Sequence, residues 1–500
     1  MMRRLLLALC LVAAIPAVVS AQTLRIALRE DADLLDPTLA RTYVGRIVFA
    51  GLCDKLFDLN EKLEIVPQLA TGYEWADPVT LIIHLRSGVK FHDGEVLDAA
   101  AVKYTFERGL TFPGSFRRSE IASVDHVEVV DPATVKIVLK SPTSPLLAQL
   151  TDRAGMILPP KATEAAGKDF SRAPVCSGPF RFVERVAQDR VVLDRFADYW
   201  DAKDIHFDRV IYQPMPDSAV LLANLRTGAI DLAERVLPSD IAQVKSDPRL
   251  RIVTSPALGF ESITFNVGNG DRALRPLGQN KLLRQAFEAA IDRQALVNVV
   301  FNGMFTPTAQ AVSAASPFYI ESIPPPGRDL AKAKALVKAS GAPLPIAVEM
   351  TVPNTPDRAQ EAEVIQAMVK EAGFDVKLNL VEFAASLQVV TRGDFEAYLS
   401  GWSGRADPDG NMFGFLTTGY AQNDGHYSSP AVDKALTDAR HGVDLASRRD
   451  DYEAALRVLR DDLPVIYLFN PVNIVGMSAK LTGFRAVPDG MIRLQGLAEN

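Results

Sequence analysis

Ile83-His-Leu-Arg-Ser-Gly-Val-Lys-Phe-His-Asp-Gly-Glu95 is the stretch from which the fold can be read. Residues 80–86 alternate apolar with polar side chains, the period of a half-buried strand. Asp93-Gly94 is a turn signal, so the segment after Gly88 doubles back. Asp98 then opens an alanine-rich run over 98–108 that reads as a capped helix. Working outward, 124–130 and 134–139 are strands around an Asp131-Pro132 turn, and 23–28 is a first strand. Residues 44–57 read as a helix, and 179–186 with 190–196 as a hairpin. A helix over 218–227 ends at Gly228, and 262–266 is a strand. Residues 282–290 and 329–340 are helices. Strand 345–351, helix 358–371 and strand 375–380 form a strand–helix–strand unit, which implies a parallel pair with a right-handed crossover. A late helix covers 450–461. The fold class is mixed α/β.

Composition narrows the field. The 500 residues are 48% hydrophobic and 23% charged, with 31 Gly and 32 Pro, which excludes fibrous and low-complexity classes. A chain of this length needs two or three cores. Its net charge of −7 and lack of a basic run speak against nucleic acid as a partner. Arg3-Arg4, the apolar run 5–16 and the small residues Val19-Ser20-Ala21 form a secretory signal with cleavage before Gln22. Cys10 follows Leu9, too large a residue for a lipoprotein site, so an anchored form is not expected. Loss of Arg3 and Arg4 takes the net charge from −7 to −9. No later run reaches the length of a spanning helix. The mature chain is expected in the periplasm, an oxidising compartment, with two cysteines, Cys53 and Cys176. A disulfide between them is expected, the alternative being two separate buried thiols.

Motifs for catalysis are absent. There is no zinc-protease helix, P-loop or dinucleotide fingerprint, and Gly401-Trp-Ser-Gly404 lacks the spacing of a nucleophile elbow. The six histidines form no ligand-spaced pair, and no metal or cofactor is expected. The chain is not expected to be an enzyme.

A series of collinear segments resembles a family. These are Leu35-Asp-Pro37, Leu52-Cys-Asp-Lys-Leu56, Ile65-Val-Pro-Gln-Leu-Ala70, the 83–95 stretch and Ala100-Ala-Val-Lys-Tyr-Thr-Phe106. Ser177-Gly-Pro-Phe180, Asp198-Tyr-Trp200, Gly228-Ala-Ile-Asp-Leu232, Phe265-Asn266, Ala290-Ile-Asp-Arg293 and Trp402 with Asp407-Pro408 continue it. Together they resemble the family 5 extracellular solute-binding proteins of ABC transporters, the dipeptide, oligopeptide and nickel type. The resemblance implies a two-lobed binding protein of class II-like, type C cluster architecture with an extra inserted domain. Lobe I is expected from 22–59, 176–258 and 468–500, the inserted domain from 60–175, and lobe II from 259–467. Hinge strands are expected near 262–267 and 464–471. A small peptide or peptide-like, carboxylate-bearing solute would bind in the cleft, the lobes would close on it, and the closed monomer would dock on membrane permease subunits. A receptor for an opine, organic acid or metal chelate is the alternative on the same fold, and an exported hydrolase the remote one.

The resemblance also suggests site residues. Peptide-binding relatives place an Asp shortly after the tryptophan to take the ligand's amine. Here the matching position is Arg405, a reversal of charge. Arg405 either clamps a ligand carboxylate or pairs internally with Asp407 or Asp409. Trp402 is expected as a cleft wall or as ordinary core. Asp407 is a further candidate that also suits bracing its own turn. Arg41 and Tyr43 follow Leu-Asp-Pro, where relatives place cleft residues, although Tyr43 also suits a helix start. Phe260 precedes the expected hinge strand. Asn354 lies in a loop where relatives reach a ligand end, a loop that Thr355 could equally use to cap a helix. Arg118 is a rim candidate or a solvated cation of the inserted domain.

Overall fold

The computed structural model describes residues 22–500. The signal sequence expected over 1–21, with Cys10, lies outside the described residues. The strand Thr23–Leu28 buries alternate side chains and continues straight into core at its end. It lies at the centre of a seven-stranded sheet, parallel to Arg209–Pro214 on one side and to Leu232–Ala233 on the other. Arg190–Arg195 and Phe180–Val186 extend one edge as the expected hairpin. Val472–Ser478 and Leu250–Pro256 complete the other edge, both antiparallel.

A second, six-stranded sheet has Phe260–Phe265 and Ala397–Trp402 in its middle. Ile346–Pro353 and Phe374–Val381 pair in parallel across the helix Pro356–Lys370, the crossover unit read from the sequence. The chain passes between these two sheets twice. It passes from Leu250–Pro256 to Phe260–Phe265 through 257–259, and from Val465–Asn470 to Val472–Ser478 at Pro471. The expected hinge over 262–267 therefore falls inside a central strand, not at a crossing. Residues 468–470, expected in lobe I, pair within the second sheet. Six of six residues from Val465 to Asn470 form one continuous strand, so the boundary waits for Pro471, which has no N–H to extend the ladder.

The stretch 83–95 belongs to a separate four-stranded antiparallel sheet, ordered Ala70–Asp77, Thr80–Leu85, Thr134–Leu139, Val124–Asp131. The helix Ala99–Thr111 covers it, capped by Asp98, whose side chain accepts from the Ala101 N–H. Its core joins Leu81, Ile83, Val102, Phe106, Val135 and Ile137 and is distinct from the cores of the two larger sheets.

The helix expected over 44–57 is shorter, Tyr43–Leu52, because the chain is pulled out of it at Cys53. Cys53 is extended and bonded to Cys176, with Cα atoms 4.9 Å apart. Gly178 donates its N–H to the Leu52 carbonyl, and a Cβ there would lie 2.5 Å from the Leu52 carbonyl carbon. Only glycine allows that approach. His92 sits on the same junction: its Nδ1 accepts from Cys176 N–H, and its Nε2 is 3.0 Å from the Gly178 carbonyl. Burial pushes its pKa down to about 4, so the ring stays neutral. The histidine of the His-Asp-Gly turn is thus a brace.

Candidate functional site

The ends of the strands build a cleft between the two large sheets. Arg29 and Glu30 follow the first strand, and Glu234 and Arg235 follow Leu232–Ala233. Across the gap, Phe260 and Glu261 begin the central strand of the second sheet, and Asp357 and Arg358 stand in the first turn of the helix after Ile346–Pro353. Ligands of open α/β sheets gather at such carboxyl ends. The cleft and its open, solvent-filled mouth together span about 2180 Å³. Phe260, Trp402, Phe415, Tyr467 and Phe469 give it an aromatic wall. Phe260 and Tyr467 meet edge to face at 4.8 Å. Gly259 belongs to the crossing, where a Cβ would fall 2.0 Å from the Trp402 carbonyl oxygen, so the wall strand and the crossing touch backbone to backbone.

Two ion pairs span the cleft. Arg41 meets Asp424 at 2.9 Å and donates to Thr391, and Arg235 meets Asp357 at 2.9 Å. Arg29 is forked onto Glu234 at 2.7 and 3.1 Å within the first lobe and lies over the Tyr43 ring. Arg358 is held between Glu261 and Glu361, which keep its pKa above the ordinary value. All four arginines that line the cleft are therefore committed to carboxylates. Glu30 is not. Among the described residues it has no hydrogen-bond or ion-pair partner. Burial is the main cause that pushes its pKa up to about 7, while Arg29 works against that rise. Burial also raises Glu261 and Glu361.

The residues singled out in the sequence divide into two groups. Arg41, Tyr43, Phe260 and Trp402 line the cleft. Tyr43 also starts the helix Tyr43–Leu52, capped by Thr42, and donates its hydroxyl to the Gly490 carbonyl. Trp402 Nε1 donates to Gly410 and Asn411, which fixes its ring.

Arg405, Asp407, Asn354 and Arg118 do not line it. Arg405 is turned away beneath Trp402, stacked at 4.5 Å, with Nε 2.7 Å from Asp152 of the inserted domain. Its predicted internal partners, Asp407 and Asp409, are already forked onto Arg448 and Arg440. Asp407 is consequently a structural ion-pair partner. Asn354 is exposed, and its N–H is spent on the Val381 carbonyl. Arg118 is exposed and donates to the Leu110 carbonyl. Sequence reasoning missed Arg29, Glu30, Glu234, Arg235, Asp357 and Arg358. The available signal was a charged pair directly after each of two inner parallel strands, and another in the first turn after a third.

Among the described residues no group of His, Cys, Asp and Glu side chains is placed to hold a metal, and no helix is long and apolar enough to cross a membrane.

Relatives carry the same architecture. The chain is 30% identical over 491 residues to a glutathione-binding protein, GsiB, of Salmonella typhi, covering 96% of this chain and 94% of that one. It is 29% identical over 474 residues to the protein of that name from Pectobacterium atrosepticum, with 92% and 91% covered. Among solved structures, the periplasmic binding protein AgaA of A. tumefaciens R10, in complex with agropinic acid, superposes with a TM-score of 0.87 at 25% identity, covering 96% and 99%. The murein tripeptide binding protein MppA of Escherichia coli gives 0.89 at 22% identity, with 96% and 99% covered, and so shares the fold. Residues 64–424 match the sequence profile of the bacterial extracellular solute-binding proteins, family 5, and the two-lobed chain described here belongs to that family.

Proposed function

We propose that this chain is the periplasmic capture component of an ABC importer, taking a small peptide or peptide-like solute that carries both carboxylate and ammonium groups. The observation that carries the reading is the cleft itself. It has room for a solute of several residues, lies between lobes joined by two short crossings, and is spanned by the Arg41–Asp424 and Arg235–Asp357 pairs. Such pairs form only when the lobes are together, so a solute that adds contacts to both sides shifts the protein to the closed state. The closed form then docks as a monomer on permease subunits. Export by the 1–21 segment belongs to the same reading. The GsiB relatives make glutathione the first candidate, and AgaA in complex with agropinic acid supports including that compound and opines in the panel.

The test is thermal unfolding of the mature protein against glutathione, di- and tripeptides, blocked peptides, opines and nickel chelates. A true solute at about 1,000 times its Kd adds roughly 4 kcal/mol, a rise of several degrees in the unfolding midpoint. Glutathione or tripeptides are expected to give that rise. A shift with none of the peptide-like compounds defeats the reading.

Glu30 gives this reading a pH dependence. The solute's ammonium is expected to bind the ionised carboxylate. Because burial pushes the free group up to about 7, binding must expel a proton below that pH. Affinity is then flat above pH 7 and falls about tenfold per unit below it. Glu30→Gln is expected to flatten the profile and weaken binding at pH 8 by roughly 10- to 100-fold, the worth of a charge-assisted hydrogen bond. Titration calorimetry at pH 5.5, 6.5 and 8 reads both. A parent profile independent of pH removes Glu30 from the amine site.

A further inference from the structure

Where lobe I, the inserted domain and lobe II meet, four arginines converge behind the cleft wall. Arg46 comes from the helix Tyr43–Leu52, Arg117 and Arg153 from the inserted domain, and Arg405 from lobe II. All are buried, Arg153 to 1% exposure. Two carboxylates face them. Asp152 takes Arg405 at 2.7 Å and Arg46 at 2.9 Å, and Glu120 takes Arg117 at 2.6 Å. The next acid, Asp489, is 2.8 Å from Arg493, which is shared with Asp58, itself bound to Lys55. Including that neighbouring group leaves the same excess of two positive charges.

Proton loss does not relieve the excess. The carboxylates are already counted as ionised, Asp152 held so by the arginines. Burial and the neighbouring cations push Arg153 and Arg405 down, yet a guanidinium gives up its proton only at great cost. Backbone and hydroxyl groups absorb part of the donor set: Arg153 and Arg117 donate to the Ala40 carbonyl, Arg405 to Gly404 and Arg46 to Ser403. Five buried guanidinium nitrogens still have no hydrogen-bonded acceptor, namely Arg46 Nε, Arg117 Nε, Arg153 Nε (3.5 Å from Asp152) and Nη2, and Arg405 Nη2. Against them stand two carboxylate oxygens of the cluster without a hydrogen-bonded donor, Asp152 Oδ2 and Glu120 Oε2, so donors remain in surplus. Buried cations in excess, with unmet donors on all four, are stable only with a further anion among them.

We infer that this three-domain junction is an anion site, filled either by a small free anion or by a carboxylate of the captured solute reaching past Ser403 and Trp402. Planar guanidinium forks match a carboxylate or phosphate, and their number suits a group that accepts several hydrogen bonds at once. Because the four arginines come from three domains, the anion ties the closed arrangement together. The site differs from the amine site assigned to Glu30, and its free-anion form does not depend on the identity of the importer's solute.

The experiment compares unfolding midpoints of the mature, solute-free protein in chloride, acetate or phosphate with those in a bulky arylsulfonate at the same ionic strength. The parent is expected to unfold about 2–3 °C or more higher in the small anions. Arg153→Met removes one excess charge. It is expected to erase the difference and to unfold in the arylsulfonate at no lower temperature than the parent, whereas loss of a merely structural arginine lowers the midpoint in every buffer. Arg405→Gln provides the same test from lobe II should Arg153→Met not fold. Equal parent midpoints in all buffers, with both variants destabilised equally throughout, overturn the inference. The source of the anion is read from solute affinity. A tenfold or greater weakening by small anions places the solute's carboxylate in the site, and no weakening places a separate ion there. If no solute binds at all, the anion dependence is still measured, so the two proposals fail separately.

Discussion

Replacing Cys53 and Cys176 by serine is expected to lower the stability of the mature protein by about 4–5 kcal/mol. The bond closes a loop with a sequence separation of 123, and the chain-entropy model gives that magnitude for a loop so long. Its position makes the loss specific. Cys53 and Cys176 stand where the chain enters and leaves the inserted domain, so the bond fastens the base of an otherwise independent unit. Neighbouring groups depend on it: His92 accepts from the Cys176 N–H, and Trp200 Nε1 donates to Asp54 at 2.7 Å beside Cys53. Burial pushes Asp54 up to about 7, so this corner also tolerates little added charge. The loss should therefore appear first in the inserted domain. Trp75 reports there, Trp200 of lobe I reports from the junction, packed against both cores, and Trp402 reports from the cleft. Urea unfolding followed by single-tryptophan fluorescence should show the Trp75 and Trp200 transition moving to lower urea than that of Trp402. A shift below about 1 kcal/mol would mean that the domain's own core holds its base closed. Neither cysteine lines the cleft, so solute affinity should survive wherever the variant is folded.

The same corner shows what the sequence could and could not disclose. Three of the four strands of the inserted sheet are legible, because Thr80–Leu85, Val124–Asp131 and Thr134–Leu139 carry the strand period and the last two are joined by the Asp131-Pro132 turn; Ala70–Asp77, exposed along most of its length, carries no such pattern. The parallel unit around Pro356–Lys370 is legible for a similar reason, a helix flanked by two apolar runs. The wall strand Ala397–Trp402 is not, because its partners Phe260–Phe265 and Ile346–Pro353 are distant in the chain, and its own pattern is a short apolar run ended by Gly401. The site divides along the same line. Phe260 and Trp402 stand out as large apolar residues beside glycines. Arg405 stands out as a charge reversal, yet its surroundings are set by Asp152, over 250 residues away in the chain, and no spacing rule reaches that far. The most informative signal is plain in hindsight: Arg29-Glu30, Glu234-Arg235 and Asp357-Arg358 are adjacent opposite charges near the ends of parallel strands, where α/β sheets bind ligands.

Arg358→Met is expected to destabilise the protein by about 3–5 kcal/mol at pH 8, and by far less at pH 5. Arg358 is the cation between Glu261 and the fully buried Glu361, and Asp357 is already engaged by Arg235 across the cleft. Without Arg358 the two glutamates face each other in a buried site with no counter-ion. Burial raises both, and repulsion from Glu261 raises Glu361 further, even with Arg358 present; its removal raises them again. The direction follows from proton counting. A carboxyl whose folded pKa lies above its unfolded value binds more protons when folded. Stability is then greatest below the unfolded pKa and declines as pH rises toward the folded one. In the variant the decline extends from about pH 4.5 upward through neutrality, because both acids must keep protons to stay buried. The parent loses less over the same range, since Arg358 stabilises their ionised forms. Denaturant unfolding at pH 5, 6.5 and 8 measures the difference. Arg358→Met combined with Glu361→Gln should recover much of the loss at pH 8, because one unpaired charge is then gone. A deficit equal at all three pH values, unrelieved by the second substitution, would show that Arg358 acts through packing. The cleft gives the pH-dependent outcome its functional sense: Glu261 and Arg358 both line it, so the cluster holds opposed charges ready-oriented on the second lobe, beside the Asp357 that Arg235 must reach when the lobes come together.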